Sequence, residues 1–209
     1  MLTHHFIKKL LLAIVLSIFS QSILIGQHSG VDVPWIRENV VKNPVDDSWL
    51  KKNLKENAPR LFLNEQAEQQ IEKGIETDPL VKHYFRLLQS NADVICEKPL
   101  LKREKTGRRL LGVSRRAVRR IGTLALVYRI NKNERYLNRL EKEINAVCDF
   151  SDWNPSHFLD VAEMAYAVAL GIDWCGEWLS QSTLENAKSA LLEKALKLSI
   201  NKISYNWWV

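Results

Sequence analysis

Ser156-His157-Phe158-Leu159-Asp160-Val161-Ala162-Glu163-Met164-Ala165-Tyr166-Ala167-Val168-Ala169-Leu170-Gly171-Ile172-Asp173-Trp174 is the stretch that decides the fold. Glu163 is its only charge between Val161 and Ile172. A helix that is apolar almost all round belongs inside, with other elements around it. The flanking sequence supplies those neighbours. Ser182-Thr183-Leu184-Glu185 reads as a capping box whose helix runs to about Ile200. On the other side, Asp152-Trp153-Asn154-Pro155 interrupts a helix carrying Leu137, Leu140, Ile144 and Val147. Asn131-Lys132-Asn133 separates that helix from one capped by Ser114 and reaching about Ile130. A basic loop covers Lys98 to about Gly112. Asp78-Pro79 starts another helix, an N-cap carboxylate followed by a proline where no N–H is needed. Val81, Tyr84, Leu87 and Leu88 then share one face, with Ile95 near the end. Asn64 caps a polar helix from Glu65 to about Glu76.

The last four helices form two αα-hairpins whose starts, Ser114 and Ser156, lie 42 residues apart. That is the period of stacked helix pairs, in a solenoid or an α/α toroid. The pairs are not visibly alike in sequence, which favours a toroid. Composition agrees with an all-α class. The chain of 209 residues has 46% hydrophobic and 26% charged residues, enough to bury a core. Only 8 glycines and 6 prolines occur, which excludes collagen-like and low-complexity chains and argues against a turn-rich all-β protein.

Residues 1–26 read as a secretory signal peptide. His4, His5, Lys8 and Lys9 precede the apolar run from Leu10 to Phe19, and Ser20, Gln21 and Ser22 dilute it before Gly26-Gln27. The clean apolar run is short for a membrane anchor, which remains the alternative. No Cys precedes Cys96, so a lipid-modified N-terminal cysteine is excluded. The expected location is periplasmic or secreted, with no membrane association once the leader is removed. The net charge of +6 includes Lys8 and Lys9, so the exported chain stays basic. Residues 27–57, with Pro34, Pro44, Trp35 and Trp49, read as an extended lead-in, and residues 58–209 as the helical domain. Cys96, Cys148 and Cys175 are an odd set with no zinc-binding spacing. Buried free thiols are expected for Cys148 and Cys175, with a single disulfide as the alternative.

Three constellations could carry chemistry. The first is basic: Lys102, Arg103, Lys105, Arg108, Arg109, Arg115, Arg116, Arg119 and Arg120, opposed only by Glu104. Arg115, Arg116, Arg119 and Arg120 fall on one arc of the helix, opposite Ala117, Ile121, Leu124, Ala125 and Tyr128. This is either a groove for a polyanion or a solvated face whose arginines pair with nearby carboxylates. In an exported protein the polyanion is an acidic polysaccharide rather than a nucleic acid. The second is His157, Asp160 and Glu163, a slanted stripe on the apolar helix. Glu163 must be paired if buried, so a structural ion pair with an arginine is expected. His157, beside Trp153 and Pro155, is a candidate to face a cleft, or else a capping residue. The third is Tyr205-Asn206-Trp207-Trp208-Val209, whose indoles and amide suit sugar stacking and hydrogen bonding. Substrate-binding candidates are therefore His157, Trp153, Arg115, Arg119, Asn206 and Trp207.

Several segments together resemble one family. Trp153-Asn154-Pro155-Ser156-His157-Phe158-Leu159-Asp160-Val161-Ala162-Glu163-Met164 and Thr106-Gly107-Arg108-Arg109-Leu110-Leu111-Gly112-Val113-Ser114-Arg115 are similar to the N-terminal catalytic domain of heparinase II/III-like polysaccharide lyases. Pro59-Arg60-Leu61-Phe62-Leu63, Gly171-Ile172-Asp173-Trp174 and Asn206-Trp207 agree in order. The resemblance covers residues 58–209 and implies an incomplete α/α toroid, normally followed by β-sandwich domains. It further implies β-elimination on uronic-acid glycans. There an Asn or His neutralises the substrate carboxylate while a Tyr or a Tyr/His pair moves protons. The family places those groups beyond the position of Val209. No catalytic residue is therefore assigned, Tyr205 included, and the isolated chain is expected to bind without cleaving. No cofactor and no metal are expected, since the zinc of some relatives belongs to the downstream region. Two other classes stay open: a glycan-binding module without chemistry, and a glycoside hydrolase, for which Asp160 and Glu163 would be the carboxylate pair.

Overall fold

The computed structural model describes residues 47–55 and 57–199. Residues 1–26, Asn206 and Trp207 lie outside the described residues, so the leader and the terminal aromatic element receive no structural description. The chain divides into two units, 1–54 and 55–209. In the first, helix α1 spans Asp47–Asn53, where an extended lead-in was expected. Asp47 sits in its first turn, Lys51 and Lys52 in its last, each favourable to the helix dipole. The Asn53 amide donates to the Trp49 carbonyl.

The second unit is all-helical among the described residues, with α2 Glu65–Thr77, α3 Pro79–Glu97, α4 Leu111–Asn131, α5 Glu134–Cys148, α6 Phe158–Cys175 and α7 Gln181–Leu191. A π-helical stretch, Leu192–Leu196, and a short turn, Lys197–Ser199, continue α7. Local capping sets several of these boundaries. The Asn64 side chain accepts from the Ala67 N–H at 2.8 Å. Asp78 accepts from Leu80 and Val81, with Pro79 at the first helical position. Asn133 accepts from Arg135.

Two expected caps differ. Helix α4 begins at Leu111, and Ser114 is buried inside it, because the carboxylate of Asp160 takes the Leu110 N–H from across the core. The cap of α7 is Ser180, not Ser182. Ser180 is held from outside by Glu141, whose carboxylate accepts its N–H. In the π stretch, Lys194 donates to the carbonyls of Cys148 and Phe150 and so covers the C-terminal end of α5.

Helix α4 packs most extensively on α6, α5 packs on α7, and each hairpin, α4–α5 and α6–α7, also packs internally. The central layer is therefore α4 with α6 and the outer layer α5 with α7. Asn145 and Asn186 join the outer pair through Thr183 and Asp149. Gly171 is required where α6 crosses both neighbours. A methyl there would lie 2.8 Å from Ile121 Cγ2 and 3.0 Å from Ile144 Cδ1. Helix α3 covers the flank of α4 with Leu88, Ala92 and Ile95. Tyr84 and Leu87, expected on that inner face, are exposed instead. Only the second half of α3 reaches the core, so the inner face there is set by the residues opposite α4.

Arg129 fastens α2 to this core. Its guanidinium is buried, holds both oxygens of Glu68 at 3.0 and 2.6 Å, and donates to the Trp174 carbonyl. All three cysteines are free thiols. Burial pushes the Cys148 and Cys175 thiols up to about 12. They therefore stay protonated and act as small apolar packing groups.

Candidate functional site

The N-terminal ends of α4 and α6 lie side by side, and the motif residues meet there. The corner Asp152-Trp153-Asn154-Pro155 turns through Asn154 at φ 61°, a left-handed conformation that Asn tolerates. The Trp153 ring is fully buried and its Nε1 donates to the Val147 carbonyl at 2.8 Å. Trp153 is thus a core residue and offers no face to a sugar ring, contrary to the expectation. The indole had to go inward because the corner closes over the end of α5.

Asn154 and Asp160 organise this corner. The Asn154 amide donates to the Arg108 carbonyl at 2.9 Å and to Asp160 Oδ2 at 2.7 Å. The same oxygen accepts the Leu110 N–H at 2.7 Å. Asp160 is fully buried. Its other oxygen lies 3.1 Å from His157 Nδ1; both atoms are buried, but they are not aligned for a hydrogen bond. His157 itself stands at the N-cap of α6 without making a side-chain cap and remains partly exposed. It is the one member of the stripe that combines a buried nitrogen with access to the surface.

Glu163, one turn on, faces α4. Its Oε2 accepts from the Ser114 hydroxyl at 2.6 Å, and its Oε1 is 3.5 Å from Arg115 Nε. The Glu163 side chain is 22% exposed and that of Arg115 66%. Glu163 therefore has its arginine, but it sits at the rim rather than in the core; Asp160 is the buried carboxylate of this helix.

The arginine arc is split by the packing. Arg115, Arg116 and Arg119 are exposed. Arg120 is buried, 2.8 Å from Glu143, which Arg139 also holds at 2.6 Å. Arg120 therefore faces α5, not solvent. In the preceding segment, Thr106 and Arg109 exchange backbone hydrogen bonds around Gly107, at φ 59°, so Gly107 and Arg108 form a tight projecting turn. Lys102, Lys105, Arg108 and Arg109 are exposed on this segment. Arg103 is not free: it donates to Asp152 Oδ1 at 2.5 Å and to the Asp152 carbonyl. Burial pushes the Asp152 carboxyl up, but Arg103 and the Asn154 N–H outweigh it and leave Asp152 below the usual range.

Of the expected substrate-binding set, Arg115 and Arg119 share one exposed face of α4, and Arg115 meets Glu163 of α6, the helix that His157 opens. Sequence reasoning passed over Asn154 and the Arg120–Glu143–Arg139 group. Asn154 carried one signal, an Asn before a Pro in a helix break. Among the described residues there is no cluster of three or more His, Cys, Asp or Glu side chains able to hold a metal ion. No helix of the described residues is long and apolar enough to cross a membrane. No family model and no curated protein sequence matches this chain.

Proposed function

We propose that this chain is the helical N-terminal part of a heparinase II/III-like polysaccharide lyase, exported to the periplasm or beyond, and that it holds an acidic, uronate-bearing glycan. The observation that carries the reading is how the segments of the resemblance meet. Leu110 N–H and the Arg108 carbonyl bond to Asp160 and Asn154, and Ser114 bonds to Glu163. Independently, Asp173 accepts the N–H groups of Arg60 and Leu61 at 2.7 and 2.8 Å, and Trp174 Nε1 donates to the Leu61 carbonyl. Residues quoted as separate motifs thus serve as one another's hydrogen-bond partners. Two helical layers, α4 with α6 and α5 with α7, support this reading, since stacked helix pairs of this kind are what an α/α toroid would repeat.

In this reading the exposed row Arg115, Arg116 and Arg119 attracts the glycan, and His157, at the N-cap of α6, is a further contact. Arg116 and Arg119 make no ion pair among the described residues, which leaves their charge for a ligand. The elimination itself is assigned to none of the described side chains. A glycoside hydrolase is disfavoured by Asp160. Its carboxylate is fully buried and already accepts two hydrogen bonds on one oxygen, so it cannot reach a glycosidic bond.

The test is a titration of the full chain with heparin and with an unsulfated polyuronate at low and high salt. Binding is expected to weaken as salt rises, since exposed charges are screened over about 8 Å at physiological ionic strength. Replacing Arg115 and Arg119 by Ala should weaken it further. Binding indifferent to salt and to both substitutions would remove the glycan reading.

A further inference from the structure

The segment Pro99–Glu104 and helix α4 border an open cavity of about 280 Å³, lined by Pro99, Leu100, Leu101, Lys102 and Glu104 on one side and by Arg116 and Arg120 on the other. Arg120, on this lining, belongs to a buried group with an uneven charge balance. Glu143 is fully buried and receives both Arg120 and Arg139 on the same oxygen, Oε1. Two guanidiniums thus share one carboxylate. Carbonyls at the end of α3 add partial negative charge: Pro99 accepts from Arg120, and Cys96 and Lys98 accept from Arg139. No further full negative charge reaches the pair among the described residues.

Arg120 is also incompletely used. All its hydrogen bonds within the described residues run through Nη1. Its Nε and Oε2 of Glu143 are both buried without a partner, and its Nη2 makes no hydrogen bond among the described residues. A buried guanidinium ordinarily engages most of its N–H groups, because each unpaired one forfeits the water it left behind. Above it, Lys102 and Arg116 are exposed cations on the same lining, against one exposed carboxylate, Glu104.

We infer that this cavity is an oxyanion subsite, taking a single sulfate or carboxylate group of a sugar residue between Lys102, Arg116 and Arg120. The inference rests on the glycan reading above and names where one anionic substituent of that glycan seats. An oxyanion there offsets the surplus charge of the Arg120–Glu143–Arg139 group and offers acceptors to the guanidinium. The volume is just below that of most small-molecule sites, enough for one substituent and part of its ring.

The experiment uses the full chain labelled for NMR observation of arginine Nε–Hε groups. Sodium sulfate and sodium glucuronate are titrated separately, followed by a heparin tetrasaccharide and an unsulfated uronate tetrasaccharide. The expected result is a saturable shift of the Arg120 Hε signal with sulfate, glucuronate or both. The paired substitution Lys102→Ala and Arg116→Ala should weaken that binding at least tenfold, whereas Lys82→Ala, on α3, should leave it unchanged. The small ions tell sulfate from carboxylate as the preferred group. If Arg120 Hε is indifferent to all four probes while a tetrasaccharide still binds, the subsite is overturned and the glycan reading stands. If the small ions shift Arg120 but neither tetrasaccharide binds, the glycan reading falls and with it the assignment of the cavity to a sugar substituent, leaving a site for free anions only. A paired variant that binds as tightly as the parent overturns the assignment to Lys102 and Arg116.

Discussion

Replacing Asp160 by Ala is expected to be among the most damaging single changes in the chain. Two hydrogen bonds of 2.7 Å end on its Oδ2, one from the Leu110 backbone and one from the Asn154 amide. Asp160 and Leu110 are fully buried, so water does not replace the acceptor. A hydrogen bond to a charged group contributes about 1.5–3 kcal/mol. Asn154 keeps its second bond to the Arg108 carbonyl, which limits the loss on that side. The Leu110 N–H keeps nothing comparable. A destabilisation of about 3–5 kcal/mol follows, a large part of the roughly 5–15 kcal/mol that holds a domain folded. Asp160→Asn is the informative control. Its amide oxygen can stand where Oδ2 stands, and its NH2 then faces His157 Nδ1, now 3.1 Å from Oδ1. That variant should lose only about 1 kcal/mol, the part due to charge. Urea denaturation followed by circular dichroism, with midpoints compared at constant slope, measures both. A cycle combining Asp160→Ala with Asn154→Ala should show coupling of about 1–2 kcal/mol. If Asp160→Ala unfolds within about 0.5 kcal/mol of the parent, the corner does not depend on this carboxylate and the reasoning fails.

Three further outcomes follow from the packing. Glu143→Ala leaves two buried guanidiniums without their carboxylate and should cost about 3–5 kcal/mol, read from the same urea midpoints. Gly171→Ala should cost about 1–3 kcal/mol by thermal melting, because the new methyl meets the branched methyl of Ile121, itself fully buried. For Asp152 the folded-state carboxyl lies below its ordinary value of 3.8, so its stabilising contribution is present above that value and is lost as pH falls through the folded one. Arg103→Ala should therefore raise the Asp152 titration midpoint, measured by NMR. Its stability deficit should narrow as pH drops below about 4, leaving the part due to the bond from Arg103 to the Asp152 carbonyl.

What the sequence determined by itself is what local chemistry decides. The caps at Asn64 and Asp78 act within two or three residues, and both occur as the residues predict. The all-α class follows from the same short-range signals and from the apolar run of α6. Burial of Leu137, Leu140, Ile144 and Val147 follows from helical spacing alone. Only the tertiary structure decided which side chains of the basic and aromatic groups face outward. Arg120 and Arg119 are adjacent in sequence, yet one is buried against Glu143 of another helix and the other is exposed. Trp153 looked available beside a helix entrance and instead fills the core. Ser114 has the chemistry of a cap, but the acceptor that serves the start of α4 is Asp160, fifty residues away. In each case the outcome depends on which distant group approaches. Whether a charge or an indole is desolvated is fixed by the element that packs over it, and that element is not among its neighbours in the chain.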